Sequence, residues 1–349
     1  MTGEVVTGPV PGTARGGYVE TLEEALRARV LPATTQPELE AAARDLVAAG
    51  AGEVLGIVFF GSRRTGAARA DAHSAYDMFL VVRGYRAAYE ALRRAGRIGK
   101  RPWLLAALNR VLAPNQISLR LGDPPLHAKA SVITLETFRR ETSGRRRDHF
   151  TIGRLFQPSQ ILHAAGNEVR DQLLAALVSA HRETYRWGRP WLPERFDAEL
   201  YGRTLLALSL AKEIRPEPEG RAEALWRAQR EEQEPVFSAL LRELAAAGEL
   251  APADGPAAGG APAYAIVRDV GILEGLRLRF YFARSLVRAT LRWFKHMLTF
   301  EGWLDYILRK VQRHAGQEIV LTERERRYPW LLLWPRLVRY LRGKDDRRP

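Results

Sequence analysis

Cysteine is absent from the 349 residues, which excludes disulfides and thiolate-held metals and allows a reducing compartment. Lysine is nearly absent too. Only six occur, so the 54 basic residues are mostly arginine, whose planar fork suits bidentate contact with phosphate. The seven histidines are scattered and no His-Glu-x-x-His occurs, which argues against a zinc centre. Long apolar runs are missing as well. No stretch reaches the ~20 apolar residues that span a bilayer, and the opening MTGEVVTGPVPGTARGG lacks the apolar core of a secretion signal. These absences lead us to expect a cytoplasmic protein, soluble or peripheral to a membrane.

What is present is base in excess of acid. The net charge is +14, with 40 acidic residues. Such a surplus points to nucleic acid, an anionic membrane or a phosphorylated substrate. A G- and C-rich genome accounts for arginine over lysine but not for the surplus itself. Hydrophobic residues make up 46% of the chain, enough for an ordinary core, and the length suggests two domains or three.

The patterning predicts a flexible tail over residues 1–36 and an α/β domain over 37–158. In that domain PELEAAARDLVAAG is a helix ending at Gly50, and YRAAYEALRRAG is another. The segments EVLGIVFFGS, DMFLVV, NQISLRL and KASVITL read as strands. Residues 159–270 turn helical, through NEVRDQLLAALVSAHRETYRW, DAELYGRTLLALSLAKEI and PVFSALLRELAAAG. Two short extended pieces follow around a Pro-, Gly- and Ala-rich stretch, a winged-helix-like order that equally suits a linker. Residues 271–322 form a basic helical region, and 323–349 a tail.

The chemistry concentrates in FFGSRRTGAARADAHSAYDMFLVV, residues 59–82. Gly61-Ser62 ends one strand, and glycine there lets backbone N–H groups approach phosphate oxygens. Asp77 opens the next strand and can hold Mg²⁺, with Mn²⁺ as a substitute. Together they would seat a metal beside a nucleoside triphosphate.

This stretch resembles the signature of the DNA polymerase beta-type nucleotidyltransferase fold, hydrophobic-Gly-Ser, a loop, then Asp-x-Asp in a strand, which implies an α/β (α+β) domain with a mixed sheet. Ala75 stands where the first aspartate would be, so a two-metal site would need another carboxylate such as Asp71 or Glu136. Three further segments, KASVITLETF, FTIGRLFQP and LYGRTLLALSLAKEIRPEP, resemble in that order the mitochondrial-type CDP-diacylglycerol synthases, the translocator assembly and maintenance family. The resemblance covers roughly residues 50–320. It implies CTP and phosphatidate as substrates, CDP-diacylglycerol and pyrophosphate as products, and a role in phospholipid and cardiolipin biosynthesis. By resemblance, Gly61 and Ser62 contact the triphosphate, Asp77 ligates the metal and serves catalysis, and Lys129 pairs with phosphate as a second catalytic residue. Gly153 and Arg154 match the family's Gly-Arg, and Arg215 an arginine further on; Gln157 departs from the family's lysine.

A phosphatidate enzyme must lie against a membrane, since each CH₂ drawn into water costs about 0.8 kcal/mol. The tail ERRYPWLLLWPRLVRYLRGKDDRRP suits that need. Trp330 and Leu333 lead into a helical face of Trp334, Leu337, Val338 and Leu341, with Arg336, Arg339 and Arg342 turned away from it. Residues 276–315 carry a further basic set, Arg277, Arg279, Arg284, Arg288, Arg292 and Lys295, among aromatics at Phe280, Tyr281, Phe282, Trp293 and Phe294. That set suits a membrane or phosphatidate. A nucleic acid remains a less favoured partner, and the protein's place is expected on the inner face of the cell membrane. Another acceptor for the nucleotidyl group, RNA or a small molecule, and a non-catalytic basic binding protein stay open as alternatives.

Overall fold

The computed structural model describes residues 20–34, 36–61, 63–64, 75–122, 126–211, 220–253, 255, 261–299 and 322–324. Ser62, Asp71, Arg215 and the whole expected membrane tail from 325 onward lie outside these residues.

A five-stranded mixed sheet organises the chain, in the order β3-β4-β2-β1-β5. Strands β1 (Val54–Phe60) and β2 (Tyr76–Val82) are antiparallel. Strand β4 (Leu126–Thr134) lies parallel to β2, and β3 (Asn115–Leu121) pairs antiparallel with β4 at one edge. The other edge is β5 (Ser159–Ala164), antiparallel to β1. Parallel neighbours need a long crossover. Helices α3 (Tyr85–Arg94) and α4 (Pro102–Val111) supply it, together with β3.

Strand alternation sorts the sheet into two apolar faces. Ile57, Phe59, Met78, Leu80, Ala130 and Val132 point to one side, where α2 (Pro37–Ala49), α3 and α4 cover them. Val58, Phe60, Phe79, Val81 and Ile133 point to the other. That face meets α1 (Leu22–Val30), α5 (Leu135–Glu141), α6 (Ile152–Leu155) and the long α7 (Asn167–Gly188). The same apolar cluster runs on without a break into α8 (Ala198–Ala211) and α9 (Arg221–Ala246). Behind α9, β6 (Leu250–Pro252) and β7 (Tyr264–Ile266) pair as a small antiparallel ribbon, so the two extended pieces of the sequence do meet. The last described helix, α10 (Ile272–Thr299), packs along β3 and the loop before it.

Two boundaries move. The tail expected over 1–36 contains α1, which a complete capping box starts: Thr21 Oγ1 accepts from the Glu24 amide, and the Glu24 carboxylate accepts from the Thr21 amide. Leu22, Ala25, Leu26 and Val30 are then buried against α7 and α9. Nine residues read alone give too little periodic signal to stand out from the Gly- and Thr-rich stretch before them. The sheet also runs past residue 158, because β5 closes the free edge of β1. Its residues SQILHA were expected to belong to the helical part.

Among the described residues no helix is long and apolar enough to cross a membrane. Because α1 is part of the core, Leu26→Ala should lower stability by about 2–5 kcal/mol. Urea unfolding measures this, and a substitution in a free tail would leave the midpoint unchanged.

Candidate functional site

Strand register brings the sequence's candidate residues into one row. Phe60 pairs with Asp77, Asp77 with Lys129, and Lys129 with Ser118. Directly opposed residues share a face, so Asp77, Lys129 and Ser118 project from the side that carries Phe79 and Ile133. At this end of the sheet the apolar inner face gives way to polar side chains. Ser118 Oγ lies 2.8 Å from Nε2 of His127, two residues before Lys129 on β4.

Gly61 turns the chain as it leaves β1. Its φ is +91°, a conformation that suits glycine alone. Any Cβ there would sit 3.2 Å from Oδ2 of Asp77. The carboxylate therefore occupies the space beside the turn where a side chain would stand, on the neighbouring strand. Beyond the turn, Arg63 lies 5.0 Å over the ring of Tyr76. Arg64 grips Glu232 of α9 with both guanidinium nitrogens, one at 2.9 Å. The turn is thereby tied to the helical part of the chain.

A magnesium ion is commonly bound through one or two carboxylates, with waters and substrate phosphates completing its shell. Asp77, half-buried and beside the glycine turn, fits that mode. Among the described residues no three of His, Cys, Asp and Glu gather as a metal cage. Glu136, one of two carboxylates considered as a partner for Asp77, is at the wrong end of the sheet. It follows Thr134, which pairs with Val82 at the far end of β2.

Gly153 and Arg154 sit in a second cluster, on α6. Gly153 is buried, and a Cβ there would come within 2.9 Å of His149 and 3.0 Å of Ser209 on α8, so close packing accounts for the glycine. Gln157, in the place of the family's lysine, donates to the Gly153 carbonyl at 2.8 Å. Arg154 stacks 3.8 Å from the Phe150 ring centre and donates to the Phe150 carbonyl at 2.7 Å. Arg292 of α10 lies 4.4 Å from the same ring. His149, wholly enclosed, is held down to about 3, first by burial and then by Arg146, so its imidazole is neutral.

Sequence reading grouped Arg288, Arg292 and Lys295 with an outer basic surface. The structure corrects this for two of them: Arg292 is 2% exposed and Lys295 6%. Asp148 Oδ2 accepts from Arg288 and from Arg292, each at 2.7 Å. Burial alone would raise the Asp148 carboxyl, but Arg292 and the hydrogen bonds to both arginines outweigh it and hold it below the usual range. Lys295 donates to the carbonyls of Leu112 and Pro114, the latter at 2.9 Å. The basic helical pattern gave no hint of this, because Asp148 is distant in sequence and the loop carbonyls carry no sequence mark.

The opposite side of α10 is open. Leu273, Leu276, Phe280, Val287, Leu291 and Phe294 recur at spacings of three, four and seven and are exposed, Phe280 by 70%. Arg277, Arg279 and Arg284 are exposed among them.

No protein-family model matches the chain, and no curated protein matches it in sequence.

Burial, then the nearby Arg292, pushes Lys295 down to about 6, against 10.5 in solution. Between those values the unfolded chain holds a proton that the folded chain does not, so this lysine makes stability rise with pH across that window. Lys295→Met should flatten the rise. Urea unfolding of wild type and variant over the window reads the difference in slope.

Proposed function

We propose that this protein is a magnesium-dependent nucleotidyltransferase that moves CMP from CTP to phosphatidate, releasing pyrophosphate and leaving CDP-diacylglycerol. In this reading the sheet and its covering helices form a DNA polymerase beta-type nucleotidyltransferase domain, and α7 to β7 a winged-helix-like domain. One observation carries it above the others: the left-handed Gly61 turn abuts the Asp77 carboxylate, with Lys129 beside Asp77 in register. A glycine turn offering amides, one acid and one base in that order is what a metal-loaded triphosphate requires.

Asp77 would hold Mg²⁺, or Mn²⁺ in its place, together with triphosphate oxygens. Bound there, the ion would supply neutralisation of phosphate charge. The turn at Gly61 presents amides to the triphosphate, and Lys129 offers a further positive charge to its oxygens. A phosphatidate oxygen forms a bond to the α-phosphorus as the bond from that phosphorus to the pyrophosphate oxygen breaks. The attacking phosphate is already ionised, so no strong general base is needed. Catalysis is then positioning and charge stabilisation.

Such an enzyme works at a lipid surface, on the inner face of the cell membrane. The open apolar stripe of α10 with its arginines supports contact with an anionic bilayer, and the tail from Trp330 to Leu341 would add an interfacial anchor.

Asp77→Ala should abolish formation of CDP-lipid from labelled CTP, Mg²⁺ and phosphatidate in detergent, with the circular dichroism spectrum unchanged. Full activity in that variant would remove Asp77 from the mechanism. Product made equally well without phosphatidate would assign another acceptor. Deleting residues 328–349 should weaken sedimentation with anionic liposomes, and unchanged sedimentation would leave the tail without an anchoring role.

A further inference from the structure

The β2–β4 pair has a second end. From Asp77 opposite Lys129 the register runs to Val82 opposite Thr134, five residues on, or ~16 Å at the rise of a strand. Outside that carboxyl end lies a cavity of about 330 Å³, walled by the start of α3, the end of α4, α5 with the loop after it, and Arg288 of α10. Open α/β sheets receive ligands outside the carboxyl ends of their parallel strands. The Gly61 turn is at the other end.

Four arginines line the cavity, Arg110, Arg140, Arg147 and Arg288, against two acids, Glu136 and Glu141. Arg140 is engaged by Glu141 at 3.0 Å and Arg288 by Asp148 at 2.7 Å. Arg110 and Arg147 form no ion pair with a described carboxylate. The other oxygen of Glu141 accepts the backbone N–H of Arg147 at 2.9 Å, not its guanidinium. The surplus continues behind the wall. Arg292 donates to the carbonyl of Ala113, a lining residue, yet its Nε and Nη1 are buried with no hydrogen-bond partner. Arg288 and Arg292 share one carboxylate, Asp148, and Arg292 is disfavoured by the neighbouring Arg288 and Arg154 charges. An anion in the cavity would relieve that repulsion.

Helix α3 adds donors to the same wall. Its N-cap, Gly84, provides no side-chain cap, and its first turn contains no acid. Gly84 and Tyr85 both line the cavity, so the uncapped end of this ten-residue helix borders the arginines.

We propose that this cavity is a second, non-catalytic site that binds the phosphoryl group of a small phosphate monoester through Arg110, Arg147 and the first-turn amides of α3. The proposal is independent of the nucleotide site. The monoester arrives either free in solution or as a lipid headgroup.

Calorimetry of the full chain without divalent cations, with inorganic phosphate and with glycerol 3-phosphate, tests the free form. Flotation with phosphatidate vesicles, read as the excess over vesicles of equal negative charge made with a phosphodiester lipid, tests the headgroup apart from general attraction to an anionic bilayer. Gly84→Asp is the informative variant. A Cβ at Gly84 meets nothing within 4 Å, and aspartate is a favoured N-cap, so the fold should melt at or above the wild-type temperature while the new carboxylate occupies the amides. We expect wild type to bind one of the probes, Gly84→Asp to weaken that binding about tenfold or more, Arg147→Gln to weaken it several-fold, and Lys129→Ala to leave it unchanged. Binding of the soluble ester assigns a free ligand; vesicle binding that Gly84→Asp loses and Lys129→Ala keeps assigns the headgroup. No binding of any probe by wild type, or binding that Gly84→Asp spares, overturns the proposal.

Discussion

Strands β2 and β4 lie side by side, parallel and in unbroken register from Tyr76 opposite Ala128 to Val82 opposite Thr134. That pairing decides which polar groups of the chain can meet. A shift of one residue would turn Asp77 to the other face and bury Phe79 on the wrong side of the sheet. The apolar middle of both strands, Phe79, Val81 and Ile133 on one face and Met78, Leu80 and Val132 on the other, locks the register from both sides. The polar ends are carried into place by that packing. At one end an acid lies against the Gly61 turn with a base beside it in register; at the other, arginines surround a hollow.

Much of this was legible in the residues. The four strands named from alternation and apolar runs are all present, and α2, α3, α7 and α8 fall where their periodicity puts them. The closeness of Gly61 and Asp77 followed from two strand ends meeting across one loop. What escaped had weak local signals. Strand β5 is six residues ending in His163 and Ala164, and it becomes a strand only because β1 offers an open edge. The place of Glu136 depends on parallel pairing, which no local pattern reports. Ser118 and His127 are ordinary polar residues until the β3–β4 register sets them beside Lys129.

The charge on α10 shows the same limit. A run of basic residues two to five positions apart reads as an outer face for a membrane or phosphatidate. In the fold the helix splits it: Arg277, Arg279 and Arg284 go to the outside, while Arg292 and Lys295 go inward to Asp148 and the loop carbonyls of Ala113 and Pro114. Burying the Arg292 cation and desolvating the Lys295 amine are both expensive, and removing one partner from such a group costs more than the group contributes. The cluster therefore fixes where α10 lies rather than adding to stability. The apolar residues left outside follow from that placement, since a helix held by one polar edge must show the rest of its surface.

Arg64 joins the turn after β1 to Glu232 in the middle of α9. The two ends of that link belong to different layers of the protein, and both Nη atoms of the guanidinium are engaged. The turn after β1 therefore cannot be placed independently of α9 and of β6 packed against it, and severing one ion pair would uncouple two layers of the molecule at once.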